Sequence, residues 1–183
     1  MEIPIVRIYD LISADIITST TTEMASAIIR VGTMSDSSHA LLYIGSTRIV
    51  EAVPPSVRVT TIDIALDISP WAKAWRMDNL SYKDREKICS FAVSLRGAPF
   101  SSYGATLSAI GAATSGGAGC FCSRLVAAAY DSVGIALTDA GWGATYPGQI
   151  EKKENRNAHL KCLGWLKNPL LADCDERLQR ASR

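Results

Sequence analysis

His39-Ala-Leu-Leu-Tyr-Ile-Gly45 and Arg48-Ile-Val-Glu-Ala-Val53 decide the fold. Both runs are apolar and rich in β-formers, and Gly45-Ser-Thr between them marks a hairpin. Pro54-Pro55 stops the second run, because proline cannot donate to a ladder. Val57 to Ile62 predicts a third strand, with Val57, Val59 and Thr61 alternating against Arg58 and Thr60. Trp71 to Met77 adds a fourth. Upstream, Ala14 to Ile17 reads as a short strand after an extended lead-in over Ile3 to Ile12.

Helical grammar surrounds this β block. The hydroxyl run Thr18 to Thr22 can cap a helix over Glu23 to Val31, where Met24, Ile28 and Val31 share a side and Gly32 follows. Ser81 to Leu95 is predicted helical. Ser81 caps it, Asp84 stands where the return bond of a capping box originates, and Ile88, Phe91, Ala92 and Leu95 form its apolar stripe. Gly97 and Pro99 close it. Ser101 to Gly119 is Gly/Ala/Ser/Thr-rich, with a loop over Ser115 to Gly119. Cys122 to Val133 predicts a second strong helix, with Leu125, Val126, Ala129 and Val133 on one face and Gly134 at its end. Ile150 and Leu160 to Leu166 offer further short elements, and Asp173 to Arg183 reads as a solvated helix or tail. The order implies an α+β fold, an antiparallel sheet with helices on one side.

A chain of 183 residues suggests one domain and can bury a full core. With 48% hydrophobic and 20% charged residues it is not a disordered chain. Lys+Arg is 19 against 18 Asp+Glu, so the basic excess expected of a nucleic-acid binder is missing. Ala105 to Gly119 is too short to span a membrane. Met1 to Ile12 holds Glu2, Arg7 and Asp10 and lacks a signal-peptide pattern, so the expectation is a chain made in the cytoplasm. Five cysteines (Cys89, Cys120, Cys122, Cys162, Cys174) leave at least one thiol unpaired. Cys120-x-Cys122 with two histidines, His39 and His159, gives no zinc pattern, and the expectation is no metal and no cofactor.

Three residues form a constellation. His39 opens a strand after the polar loop Ser35 to Ser38, and Glu51 lies on the partner strand. With a three-residue loop over Gly45 to Thr47, Ile44 pairs with Arg48 and Leu41 faces Glu51. His39 then lies diagonal to Glu51 on one face, about 7–8 Å apart at the backbone. A carboxylate there orients the imidazole and holds its charged form. A two-residue turn would instead send Glu51 to the other face. Cys122 begins a helix after a glycine-rich loop, where unpaired N–H groups and the helix dipole stabilise a thiolate and can hold an oxyanion. The plain alternatives are a water-exposed strand-edge histidine, a surface carboxylate and a small buried residue packing a helix start. Cys120 is the rival nucleophile.

Gly97-Ala-Pro-Phe100, Phe121-Cys-Ser-Arg-Leu-Val126, Tyr130 and Gly134-Ile135 resemble the nucleophile region of NlpC-type papain-like cysteine peptidases. The family cysteine maps onto Cys122, not Cys120. In the commonest members the histidine follows the cysteine, whereas the only later one here is His159. An upstream histidine hairpin, His39 to Gly45 then Val50 to Ser56, resembles the circularly permuted branch, which includes YiiX-like proteins and the lecithin:retinol acyltransferase group. The acyltransferase group has a second histidine where Glu51 stands and an Asn before its cysteine, so the YiiX-like form is nearer. Tyr146-Pro-Gly-Gln-Ile150 resembles a stretch that follows the helix in those proteins. The resemblance spans roughly residues 14 to 152, and Tyr103 is a candidate either to line the cleft or to pack in the core.

This resemblance implies a single catalytic domain over 1–183, with a papain-like antiparallel sheet and the nucleophile helix packed on it. It implies Cys122 as nucleophile, His39 as base and Glu51 as orienter, in a cysteine peptidase or amidase that cleaves amide bonds of peptidoglycan peptides. A lipid thioesterase, phospholipase or acyltransferase, and a non-catalytic binding module, stand as alternatives. An apolar groove open to membrane favours the lipid class, and loss of the Cys122–His39 contact favours the module. With no signal peptide, the expectation is an antibacterial effector carried to a target periplasm by a dedicated secretion system. Its partners would be a peptidoglycan fragment and an inhibitory immunity protein.

Overall fold

The computed structural model describes residues 4–20, 37–67, 69, 71–100, 121–154 and 156–166. The helix expected over Glu23 to Val31, the segment 101–119 with Tyr103, Cys120, Cys174 and the tail from 173 lie outside them.

Seven strands form one sheet: β1 (Ile5–Val6), β2 (Ile16–Ser19), β3 (His39–Gly45), β4 (Arg48–Val53), β5 (Ser56–Thr61), β6 (Ala72–Met77) and β7 (Leu160–Leu166). Their spatial order is β1-β7-β6-β2-β3-β4-β5. Among the described residues only the β1–β7 pair is parallel. The helices are α1 (Ile62–Leu66), α2 (Tyr82–Ser94), α3 (Phe121–Asp131) and α4 (Pro147–Glu151). The fold is α+β.

β3 and β4 have the expected bounds, but their turn differs. Gly45 pairs with Arg48, so only Ser46 and Thr47 make the turn, both left-handed at φ 51° and 59°. A register shift between Tyr43 and Gly45 leaves Ile44 as a bulge. Beyond it Tyr43 faces Ile49 and Leu42 faces Val50, so Leu41 falls opposite Glu51, as the three-residue loop would have placed it. The extra residue offsets the shorter turn. The β2 strand starts two residues later than expected, because Ala14 is left-handed (φ 69°) and belongs to a turn.

Both faces of the sheet are covered, not one. Ala40, Leu42, Val50 and Ala52 point to a core shared with Ile88 and Ala92 of α2 and Leu125, Val126 and Ala129 of α3. On the other face Ile17, Leu41, Tyr43 and Ile49 pack with Val6, Ile8, Leu11 and the α1 residues Ile62, Ala65 and Leu66. The lead-in therefore serves as a lid of apolar side chains. It also crosses β7 closely: a Cβ at Gly164 (φ +146°) would stand 2.1 Å from the Pro4 carbonyl oxygen.

The helix ends follow their capping chemistry. The Ser81 hydroxyl accepts from the Asp84 N–H at 3.1 Å and donates to the Asp84 carboxylate at 2.7 Å, so the return bond reaches the hydroxyl. Gly134 (φ +75°) follows α3, where the Ile135 N–H reaches the Tyr130 carbonyl. The Tyr130 hydroxyl, buried inside the sheet–helix layer, donates to the Ala14 carbonyl.

Candidate active site

β3 and β4 bring His39 and Glu51 together. Alternation from the Leu41–Glu51 pairing puts both on the face of Leu41 and Ile49, and His39 Nε2 meets Glu51 Oε2 at 2.7 Å. Glu51 is 2% exposed and His39 13%. A buried carboxylate needs partners. Glu51 has a second one, Arg58 of β5, directly opposite it in register. Arg58 donates from Nε at 2.8 Å and from Nη2 at 2.7 Å, both to Oε1. Burial pushes the Glu51 carboxyl up. The hydrogen bond and charge of His39, then those of Arg58, outweigh it, and the group ends below its ordinary value.

Cys122 is the second residue of α3, buried at 5% exposure. Ser123 ties this turn to the Tyr146 segment by donating to the Thr145 carbonyl at 2.7 Å. The Cys122 thiol donates to the Ser38 carbonyl at 4.0 Å. Ser38 immediately precedes His39, so the thiol lies at the end of β3 and the imidazole one residue on. The helix covers the Ala40 and Leu42 face, while the His39 ring belongs to the other. The thiol therefore reaches the rim of the sheet at the start of β3, where the Ser38 carbonyl accepts its hydrogen bond. No thiol–imidazole hydrogen bond is present among the described residues. His39 Nδ1 carries no hydrogen bond there, so it is the nitrogen left to meet a thiol.

His159, the later histidine, is exposed just before β7 and remote from this rim in register. Cys89 and Cys162 are thiols raised in pKa chiefly by burial. Arg58 was not anticipated as a site residue. The signal was available, because a β5 residue that faces Glu51 in register shares its face.

No family model matches this chain, and no curated protein does. Among solved structures, it is similar to the metalloprotein yiiX from Escherichia coli O157:H7, a DUF1105 protein. The two are 19% identical, with a TM-score of 0.56 over 86% of this chain and 89% of that one. At that identity the likeness shows a YiiX-like fold. A metal is a separate question for this chain's own donors. No group of three or more His, Cys, Asp or Glu gathers among the described residues. At His39–Glu51, the Arg58 guanidinium takes the remaining carboxylate oxygen and sets a positive charge where a cation would sit. This donor set does not fit a metal ion. Among the described residues, no helix is long and apolar enough to cross a membrane. The comparisons leave the chain with a fold resemblance.

Proposed function

We propose that this chain is a cysteine amidase of the permuted papain-like kind, acting on amide bonds of peptidoglycan peptides. The observation that carries the reading is the 2.7 Å bond between His39 Nε2 and Glu51 Oε2, one residue along the chain from the Ser38 carbonyl that the Cys122 thiol reaches. With Nε2 committed to Glu51, Nδ1 remains to take the Cys122 proton. Catalytic contacts are often long in an unliganded site and tighten once substrate is bound.

In the proposed reaction the Cys122 thiolate attacks the amide carbon while His39 holds the proton. The carbonyl oxygen gains the charge and accepts a hydrogen bond from the Cys122 backbone N–H. Collapse expels the amine, which takes the proton from His39. Water then loses a proton to His39, attacks the thioester and frees the acid and the thiol. Glu51 fixes the ring and stabilises its cationic form. The substrate class follows from the resemblance of Phe121-Cys-Ser-Arg-Leu-Val126 to NlpC-type enzymes. In this reading the chain is an effector that reaches a target periplasm and is restrained by an immunity protein.

The test is digestion of purified peptidoglycan by the wild type and by Cys122→Ala, with mass analysis of the products, beside phospholipid vesicles assayed for released fatty acid. Cleaved stem peptides with wild type alone support the proposal, and fatty-acid release without peptide cleavage points to the lipid class. One observation favours a second reading, a binding module that keeps the fold. Cys122 is buried and its thiol donates to a backbone carbonyl. Neither product in the assay would support that reading.

A further inference from the structure

Arg58 occupies an unusual place for a half-exposed arginine. Its side chain is 50% exposed, yet it grips an oxygen of a carboxylate that is 2% exposed. A surface ion pair normally contributes little. Here one partner is fixed by burial and a second hydrogen bond, so the guanidinium meets a pre-placed acceptor. His39, Glu51 and Arg58 come from three consecutive neighbouring strands and share one face, with Arg58 directly opposite Glu51 and His39 diagonal to it. Both Arg58 donors converge on Oε1, which leaves Oε2 for the ring.

We propose that Arg58 is a positioning residue for the candidate catalytic pair: it clamps Glu51 so that Oε2 faces His39 Nε2, and its positive charge tempers the pull of that carboxylate on the ring. The inference rests on the reading of His39 as base. Two physical consequences follow. With Oε1 taken by Arg58 and Oε2 by His39, both carboxylate oxygens are fixed, so the ring keeps one pose for Nδ1 to receive a proton. An anion shared between two cations holds the imidazolium less strongly than an unshared one. The groups that face Glu51 among the described residues are His39 from β3 and Arg58 from β5.

The experiment is an NMR titration of the histidine ring protons. The chain has two histidines, so a His159→Gln spectrum assigns His39. In Arg58→Gln the His39 midpoint should rise by about 0.5–1 pH unit, the order of effect of removing one charge that shares the Glu51 carboxylate in a partly solvated site. Arg58→Lys, which keeps the charge and loses the fork, should return the midpoint close to wild type. Where Arg58→Gln fails to fold by circular dichroism, Arg58→Thr carries the same test, because threonine suits a half-exposed strand. An unchanged or lowered His39 midpoint in a folded Arg58→Gln or Arg58→Thr protein overturns the inference. The titration needs no turnover. A flat result removes Arg58 alone, whereas failure of the hydrolase reading appears as an inert Cys122 with the titration intact.

Discussion

Glu51→Gln isolates what the buried carboxylate contributes. The substitution keeps the shape and removes the charge. In the wild type Glu51 accepts at 2.7 Å from His39 and at 2.7 and 2.8 Å from Arg58. A hydrogen bond to a charged group contributes about 1.5–3 kcal/mol, and a neutral one about 0.5–1.5. The contact that bears on rate is the one to His39, so neutralising it should lose about 1–2 kcal/mol of support for the imidazolium. That corresponds to a rate lower by about 5- to 30-fold. The two Arg58 bonds count for less, because that guanidinium is half in water and rehydrates. The whole change should therefore lower the melting temperature by only about 2–6 °C. The assays are the hydrolysis rate on the substrate found by peptidoglycan digestion and the melting temperature by circular dichroism. A rate equal to wild type would remove Glu51 from the site. A loss as complete as that of His39→Ala would make it a reacting group and refute the orienting role.

Cys122→Ala and His39→Ala should each abolish hydrolysis with the circular dichroism spectrum unchanged, and Cys120→Ala should stay within a few-fold of wild type; a lethal Cys120 change would move the nucleophile by two residues. Glu51 should also leave a mark on acid stability. Its carboxyl lies below the ordinary value of 4.5, so between the two values the unfolded chain binds more protons and stability falls as pH falls. The melting-temperature gap between wild type and Glu51→Gln should be full above about pH 4.5 and shrink as pH drops through the lower folded value; a gap independent of pH would contradict this. Gly164→Ala should cost about 3 kcal/mol in a denaturant titration, since its Cβ would stand 2.1 Å from the Pro4 carbonyl oxygen and 2.9 Å from the Val6 side chain. A neutral outcome would mean that the lead-in is not seated against β7.

Much of the β block was legible because its periodicity is local. The β3 and β4 runs are apolar, rich in β-formers and bounded by turn chemistry, and their ends coincide with the strands. The Ser81 cap and the stripes of α2 and α3 were legible for the same reason. The turn was not. Ser46-Thr47 lacks the Asn-Gly or Asp-Gly signature of a two-residue hairpin, and a bulge such as Ile44 leaves no mark in composition. Glu51 was placed on the face of His39 through a loop one residue too long, and the bulge supplied that residue. The covering of the second face was also hidden. Val6, Ile8 and Leu11 are too sparse to signal a layer, and their burial depends on where the chain is led by the β1–β7 pairing. That pairing joins residues about 160 apart and has no local trace. Arg58 read as the polar half of an alternating strand. Its contact with the buried carboxylate emerges only from the register that sets it opposite Glu51.

The central claim, that His39 activates Cys122, is tested most directly by the rate of iodoacetamide labelling at each cysteine, resolved by peptide mass analysis from mildly acidic to neutral pH. Cys89 and Cys162 serve as internal comparators, because burial pushes both thiols up and should keep them slow. A helix N-terminus and an imidazolium partner lower a thiol below its free value of about 8.5. The account predicts that Cys122 labels fastest of the five cysteines and that His39→Ala slows it. Equal Cys122 rates in wild type and His39→Ala, or a Cys122 as slow as Cys89 and Cys162, would contradict it.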